Sequence, residues 1–379
     1  MDIFYKKYKK SWKLFIKLNS MKKTYKYLIS ENESIRNSIK KMDIEHVEFL
    51  AVHDQNKKII GVFTMGDFRR YVLQGLDINE KISKIINTKF KFLEKSYLNE
   101  DVVKLFNSDS TINDVPVLNK SKKLIDVLYR RDYLSQINKN NDINKIKKIP
   151  VVIMAGGKGK RMDPFTRILP KSLIPIGNEP ILKIIMDKFR NFGFKKFLIS
   201  INDKGQMIKS FFHDNELPYE VKFIEEKKPL GTVGSLSKIK SNDNGTLFIT
   251  NCDIVINTNY KAIYDFHKSG NHDLTLVASM RNYKIPYGVC KLKGDGKLKT
   301  IEEKPEYDFL VNTGLYVLNS SILKLIPKDT YFDMTDLISK VKAKGYSVGV
   351  FPVSGESWFD IGQWSEYNKN VDKINILTK

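Results

Sequence analysis

Only two cysteines occur in 379 residues, Cys252 and Cys290, far apart and in no C-x-x-C or Cys/His spacing. That excludes a disulfide framework and a zinc site from the reading and leaves reduced, incidental thiols. Histidine is also scarce, with five scattered copies, and no Ser-His-Asp arrangement emerges. No apolar run approaches the roughly 20 residues that span a bilayer. The first 23 residues, MDIFYKKYKKSWKLFIKLNSMKK, lack the apolar stretch of a secretory signal. The expected compartment is the cytoplasm. Acidic residues are in deficit, 43 against 65 basic ones, for a formal charge of +22.

Such an excess raises nucleic acid or an anionic membrane as a partner. Counting by half argues against nucleic acid: residues 1–150 carry 31 basic and 18 acidic side chains, and 151–379 carry 34 and 25, so the charge is spread rather than gathered into a stripe. Residues 1–23 can form a basic amphipathic helix with Phe4, Trp12, Phe15 and Ile16 as apolar positions. Packing on its own domain is the favoured use of that helix, and contact with a membrane surface the other. What is present in quantity is core material. At 41% apolar and 11% aromatic residues, the chain fills two or three domains.

An internal repeat appears at an offset of 65. FLAVHDQNKKIIGVFTMGDF (49–68) aligns with VPVLNKSKKLIDVLYRRDY (115–133), matching Val52 with Val117, Asp54 with Asn119, Ile60 with Ile125 and Asp67 with Asp132. Each copy reads as a strand, a polar turn, a second strand and a helix opening near the aspartate. A helical pattern precedes each copy. Residues 24–136 thus resemble the paired CBS domain, an α/β tandem module. In that family a small residue, a Thr and an Asp at the strand-to-helix junction hold the ribose and phosphates of an adenine nucleotide. The resemblance assigns those roles to Gly61, Thr64 and Asp67. In the second copy Asp132 remains, but Tyr129 replaces the threonine, so one nucleotide site is expected to survive. A packing or dimerisation module without ligand is the other reading.

Residues 137–148, polar and rich in Asn and Lys, read as a linker. From 149 to 379 apolar runs alternate with helical segments, the pattern of βαβ units and a mainly parallel sheet covered on both faces. Ligands of such sheets sit outside the carboxyl ends of the strands. There the sequence reads GGKGKRMDPFTRILPKSLIPIG (156–177), directly after an apolar strand. Glycines 156, 157 and 159 let successive backbone N–H groups turn toward one point, an anion-binding concavity that Cβ atoms would obstruct. Arg161 and Lys171 add positive charge. The string matches neither the dinucleotide fingerprint nor the P-loop.

In order and residue type this stretch resembles the nucleotidyltransferase pattern of the sugar-1-phosphate nucleotidylyltransferases, whose fold is Rossmann-like and GT-A-like with a mixed, mainly parallel sheet. Further matches follow in the family's order. EEKKPLGTVGSL (225–236) resembles the segment facing the nucleobase, which places Glu226, Gly231 and Thr232 there, together with Ala155 and the glycine turn on the nucleotide. LFITNCD (247–253) resembles the strand ending in a metal-binding aspartate, Asp253, and WFDIGQWSEY (358–367) supplies a second, Asp360. PYGVCKL puts Gly288 in the sugar-binding turn, and VNTGLYVL puts Asn312, Thr313 and Gly314 beside the sugar. IEEKP places Glu303 on sugar hydroxyls and Lys304 on the sugar phosphate. The resemblance covers about 150–370 and implies a homo-oligomer using Mg²⁺ or another divalent cation.

The physics fits the implied reaction. A nucleoside triphosphate and a sugar 1-phosphate are both polyanions, so their approach requires positive groups around the phosphates. The glycine turn, Arg161 and Lys171 are assigned to the triphosphate, and Lys304 to the attacking phosphate. No general base is needed, because that phosphate is already ionised near neutral pH. PLGTVGSL looks more like mannose-1-phosphate and heptose-1-phosphate guanylyltransferases than thymidylyltransferases. A CBS pair joined to such a domain resembles guanylyltransferases of legionaminic acid biosynthesis, which act on glucosamine 1-phosphate. The expectation is therefore GTP with a hexosamine or hexose 1-phosphate. UTP, CTP and dTTP stay open, and a non-catalytic nucleotide sensor is the rival from another class.

Overall fold

In the strand β7 (Pro150–Met154) alternate side chains enter two different cores: Val151 and Ile153 face one, Val152 the other. This two-sided burial is what a central parallel strand requires. The computed structural model describes residues 24–378 apart from residues 76, 110–111, 134–145, 216 and 240–244. The basic segment 1–23, most of the linker 137–148 and the Asp132 side chain fall outside the described residues. The chain divides into two units, Met1–Asn140 and Asn141–Lys379. Among the described residues no helix is long and apolar enough to cross a membrane.

The first unit is a duplicated motif. Strands β1 (Leu28–Ser30), β2 (Phe49–His53) and β3 (Ile59–Thr64) form one sheet; β4 (Leu93–Glu94), β5 (Asp114–Leu118) and β6 (Leu124–Tyr129) form its twin. In each, the first pair is parallel and the second is an antiparallel hairpin with a bulge at the matching point, Val52/His53 and Val117/Leu118. The aligned Asp54 and Asn119 do the same work. Asp54 Oδ1 accepts from the Asn56 and Lys58 N–H groups, and Asn119 Oδ1 from those of Ser121 and Lys123, each at 2.9 Å. Lys57 and Lys122 take the left-handed conformation at matching turn positions, φ 60 and 57. Helices α1 (Ile35–Ile44) and α3 (Asn99–Ser108) precede the two hairpins, and α2 (Met65–Leu73) follows the first.

The second unit is built on a seven-stranded sheet. Its other strands are β10 (Lys196–Ile201), β11 (Glu220–Glu225), β12 (Thr246–Asn251), β14 (Leu274–Lys284), β17 (Glu306–Asn319) and β18 (Val348–Val353), in the order β11-β10-β7-β12-β17-β14-β18. All are parallel except β17, which runs against both neighbours. Two-stranded ribbons complete the unit: β8 (Pro175–Ile176) with β9 (Glu179–Pro180), β13 (Ile254–Ile256) with β19 (Trp358–Asp360), and β15 (Val289–Leu292) with β16 (Leu298–Glu302).

Helices cover both faces. In α4 (Ile181–Arg190) the apolar positions Ile181, Ile184, Ile185 and Phe189 recur at helical spacing and are buried. Phe189 packs edge-on against Phe194 and Phe248 at 5.4 and 5.6 Å between ring centres, a burial that contributes about 1.5–3 kcal/mol. Helices α5 (Gly205–His213) and α6 (Tyr260–Ser269) follow β10 and β13. Helix α7 (Met334–Ala343) packs Leu337 and Val341 onto the other face, and α8 (Trp364–Thr378) follows β19.

Candidate functional site

The carboxyl ends of β11, β10, β7 and β12 lie side by side, so the residues at and just past them form a row: Glu226, Asn202, the glycine turn from Ala155, and Asn251, the last residue of β12, with Asp253. In the turn, Gly159 has φ 65, and a Cβ there would lie 2.9 Å from Thr166 Cγ2 and 3.2 Å from Lys171 Cβ. Only glycine takes both that dihedral and that approach without strain. The Thr166 hydroxyl, donating to the Gly159 carbonyl at 3.0 Å, fixes the bend. Gly157 is open, with nothing within 4 Å of its Cβ position.

Lys171 and Ser172 are buried within a short helical turn, and the Lys171 ammonium donates to the Asp253 carboxylate. Asp253 precedes β13, which pairs with β19 so that Ile254 faces Asp360 and the Ile361 N–H donates to the Asp253 carbonyl at 2.9 Å. Gly362 marks where these groups meet. A Cβ on it would lie 2.8 Å from Asp360 Oδ1, 3.1 Å from Asp253 Oδ2 and 3.3 Å from Lys171 Nζ. Burial pushes the Asp360 carboxyl above its ordinary value, and the Asp253 charge adds to this. The Gly362 N–H at 2.5 Å, Lys171 and Arg161 oppose it. Arg161 is exposed, near enough for its charge to be felt.

Helix α8 holds this corner from behind. Its Asn370 amide donates to the Asp360 carbonyl at 2.8 Å, and the Trp364 indole donates to the Asp163 carbonyl at 2.7 Å, in the turn that follows the glycines.

Two crowded carboxylates with one ammonium leave a net negative space that suits a hard cation. Among the described residues no three His, Cys, Asp or Glu side chains gather at one point. A cation held by Asp253 and Asp360 would therefore complete its shell with water or substrate phosphate oxygens, which is the habit of Mg²⁺. The neighbouring Cys252 thiol, pushed up to about 12 by burial, stays protonated and unreactive.

At the β11 end, Glu226 is buried beneath the turn. Its Oε1 accepts from the Ser200 hydroxyl and its Oε2 from the Leu230 N–H at 3.1 Å, and a Cβ on Gly156 would lie 2.8 Å from Oε1. Gly231, at φ 79, sits where a Cβ would lie 2.7 Å from the Phe332 carbonyl oxygen. Thr232 then clasps the start of α7: its N–H and hydroxyl donate to Asp333 at 2.9 and 3.1 Å, and its hydroxyl accepts from the Met334 N–H at 2.8 Å.

On the opposite side of β12, Gly314 (φ 87) sits where a Cβ would lie 2.5 Å from Asn251 Nδ2. Asn312 donates to the Tyr316 hydroxyl at 2.7 Å and accepts from the Gly314 N–H at 3.2 Å. Thr313 is buried and donates to the Val277 carbonyl at 2.8 Å. Glu303 reaches within 3.0 Å of the Gly288 Cβ position. Lys304, exposed and left-handed at φ 47, holds its ammonium 3.9 Å from Glu303.

The structure thus brings together Lys171, Asp253 and Asp360; Gly156 and Glu226; Gly288, Glu303 and Lys304; and Asn312 and Gly314. The side chains of Thr232 and Thr313 bond to the protein itself. Sequence reading missed Gly362, Asn251 and Asn202. In the other unit Thr64 and Asp67 cap each other at the start of α2: the Thr64 N–H and hydroxyl donate to Asp67 Oδ2 at 2.8 and 2.7 Å, and the Asp67 N–H donates back at 3.3 Å. Gly61 lies against Ile86, whose Cδ1 is 2.8 Å from the Cβ position.

Residues 150–375 match the family model described as nucleotidyl transferase, and 24–74 match the CBS domain model. The chain belongs to the nucleotidyl transferase family. A mannose-1-phosphate guanyltransferase of Yarrowia lipolytica is 29% identical over 225 residues, 57% of this chain and 61% of that protein. Its counterpart in Saccharomyces cerevisiae is 30% identical over 241 residues, 60% and 65%. A UTP–glucose-1-phosphate uridylyltransferase of Synechocystis is 25% identical over 236 residues, 57% and 61%. This nucleotidyl transferase chain spans about three fifths of the length of these relatives. The crystal structure of HddC from Yersinia pseudotuberculosis is 25% identical with a TM-score of 0.47, covering 59% of this chain and 99% of that one.

Proposed function

We propose that this chain transfers a nucleoside monophosphate, foremost GMP, from the triphosphate to a hexose or hexosamine 1-phosphate, giving a nucleotide sugar and pyrophosphate. The observation that carries the reading is the meeting of Asp253, Asp360 and Lys171 at Gly362, at the β12 end of the row of strand ends. A divalent cation on the two aspartates, Mg²⁺ by its ligand preference, would neutralise phosphate charge and polarise the reacting phosphoryl group. The remaining work falls to the chain itself. The glycine turn offers backbone N–H groups to the triphosphate, and Arg161 faces the leaving pyrophosphate. Lys304 steadies the sugar phosphate, while Glu303 takes sugar hydroxyls beside Gly288. The nucleophile is a phosphate oxygen ionised near neutral pH, so no residue removes a proton, and the rate comes from alignment and charge.

The guanyltransferases among its relatives support GTP, and the uridylyltransferase keeps UTP as the competing substrate. Pyrophosphate release from each NTP paired with mannose, glucose and glucosamine 1-phosphates tests the reading. GTP with at least one of these sugars should lead, and no release with any pair rejects transfer. For the first unit we propose an adenine nucleotide as regulator. That reading rests on the resemblance of the first copy; the cavity of about 400 Å³ among the described residues, lined by Lys95, Tyr97, Val117, Ile125 and Asp126, belongs to the second copy and includes none of Gly61, Thr64 and Asp67. Rates that do not change at saturating, verified AMP or ATP would reject it.

A further inference from the structure

We infer that Asn202 is a specificity residue that donates its side-chain amide to O6 of a guanine base, next to the Glu226 carboxylate. This rests on the nucleotidyltransferase reading of the site. The order of strand ends sets the axis of the substrate. Asp253 and Asp360 lie past the end of β12, where the reacting phosphate must be, and the glycine turn after β7 takes the rest of the triphosphate. The base therefore lies over the ends of β10 and β11, where the next residues are Asn202 and Glu226. Gly156 stands between them: its Cβ position is 2.8 Å from Glu226 Oε1 and 3.5 Å from Asn202 Cβ.

Asn202 is half-buried, and its Nδ2 meets no acceptor although shut off from solvent. A buried amide left without a partner is uncommon in a folded protein and costly to keep. Among the described residues no acceptor holds that Nδ2. A half-turn about the last side-chain bond exchanges it with Oδ1, and in the inferred complex the N–H groups turn to the base when the nucleotide binds. Glu226 is the complement. Each of its oxygens accepts one protein donor, and a carboxylate oxygen has a second lone pair for another.

Guanine offers two adjacent donors, N1–H and the 2-amino group, beside one acceptor, O6. A carboxylate next to an amide N–H matches that edge at all three positions. Uracil and thymine place a carbonyl on either side of a single N–H, so a carboxylate there meets an acceptor. Cytosine and adenine have an unprotonated ring nitrogen where guanine has N1–H. A polar site of this kind rejects a mismatched edge strongly, because its own groups are then left unpaired.

The test is a cycle between Asn202→Ala and 6-thio-GTP, which keeps N1–H and the 2-amino group but replaces O6 with a poor acceptor. It is measured on the full chain as kcat/KM and as equilibrium binding. In the wild type, sulfur substitution should cost roughly 10- to 100-fold, and Asn202→Ala should cost a similar factor on GTP. The variant should then treat the two nucleotides alike. Equal GTP to 6-thio-GTP ratios in wild type and variant overturn the inference. If Asn202→Ala fails to fold, Asn202→Ser carries the same cycle. A wild type that binds GTP with the cycle intact but releases no pyrophosphate rejects the transfer reaction and leaves the inference standing. A wild type that prefers another base rejects the inference and leaves transfer standing.

Discussion

The Lys171 ammonium is hydrogen-bonded to the Asp253 carboxylate, 82 positions away in sequence and almost fully buried with it. Breaking that pair separates two consequences. Asp253→Asn keeps the shape and an acceptor for Lys171 but removes a negative charge from the proposed cation site. Turnover should fall by about 10²–10³ with little change in stability. Asp253→Ala leaves Lys171 buried and unpaired, which should cost a further 3 kcal/mol or so in urea unfolding. Chelation with EDTA should abolish wild-type turnover and excess Mg²⁺ restore it. Full activity in Asp253→Asn would remove the aspartate pair from the reaction.

Gly362 gives a second, independent probe of the same corner. A methyl group there would press on Asp360 Oδ1 at 2.8 Å, Asp253 Oδ2 at 3.1 Å and Lys171 Nζ at 3.3 Å. All three are polar heads rather than packed core, so Gly362→Ala should lower kcat/KM by about tenfold or more, through misplaced charges, while the melting temperature shifts by only about 2–4 °C. A variant with wild-type kinetics would mean that these heads do not hold the reacting groups.

What was legible in the sequence was local or repeated. Glycines 156, 157 and 159 announce a bend because only glycine makes one so tight, and the 65-residue offset reappears as the twin hairpins with Asp54 and Asn119 in the same turn. The alternation of apolar runs and helices gave the mainly parallel sheet but not the reversed direction of β17, because a strand's side-chain period carries no sense of direction. Gly362 and Asn202 stayed hidden because their roles come from groups distant in sequence: Asp253 for the first, Gly156 and Glu226 for the second. The clasp of Thr232 on Asp333 spans 101 positions, and no local pattern encodes such a contact. The capping box of Thr64 and Asp67 is a second role, shown by the structure, for residues that the family resemblance assigned to a ligand.

His267 makes the stability of the second unit depend on pH. It is fully buried, its Nε2–H donates to Asn319 Oδ1 at 3.1 Å, and its Nδ1 accepts from the Thr275 hydroxyl at 2.9 Å, so the native fold holds the neutral ring. Burial lowers its pKa from 6.5 to about 4; Lys268 and His272 also act in that direction, while the Asn319 hydrogen bond and Asp273 oppose it. Between these values the unfolded chain binds the proton and the native one does not. Stability should therefore be full above about pH 6.5 and fall as pH drops toward 4, by at most about 1.4 kcal/mol per pH unit from this residue. Urea titrations followed by tryptophan emission should show that slope in the wild type and less of it in His267→Gln. Equal slopes would assign the pH dependence to other groups.

Lys304 isolates the sugar end of the site. Its backbone is left-handed at φ 47 and its side chain is exposed, so Lys304→Gly relaxes the main chain while deleting the ammonium. Stability should therefore hold or rise slightly. If that ammonium steadies the attacking phosphate, kcat/KM for the sugar 1-phosphate should fall by about 10²-fold while KM for the nucleotide stays near its wild-type value. Lys304→Arg should recover part of the loss by keeping the charge without its shape. A rise in nucleotide KM instead would place Lys304 on the triphosphate, and the order of substrates along the strand ends would have to be reversed.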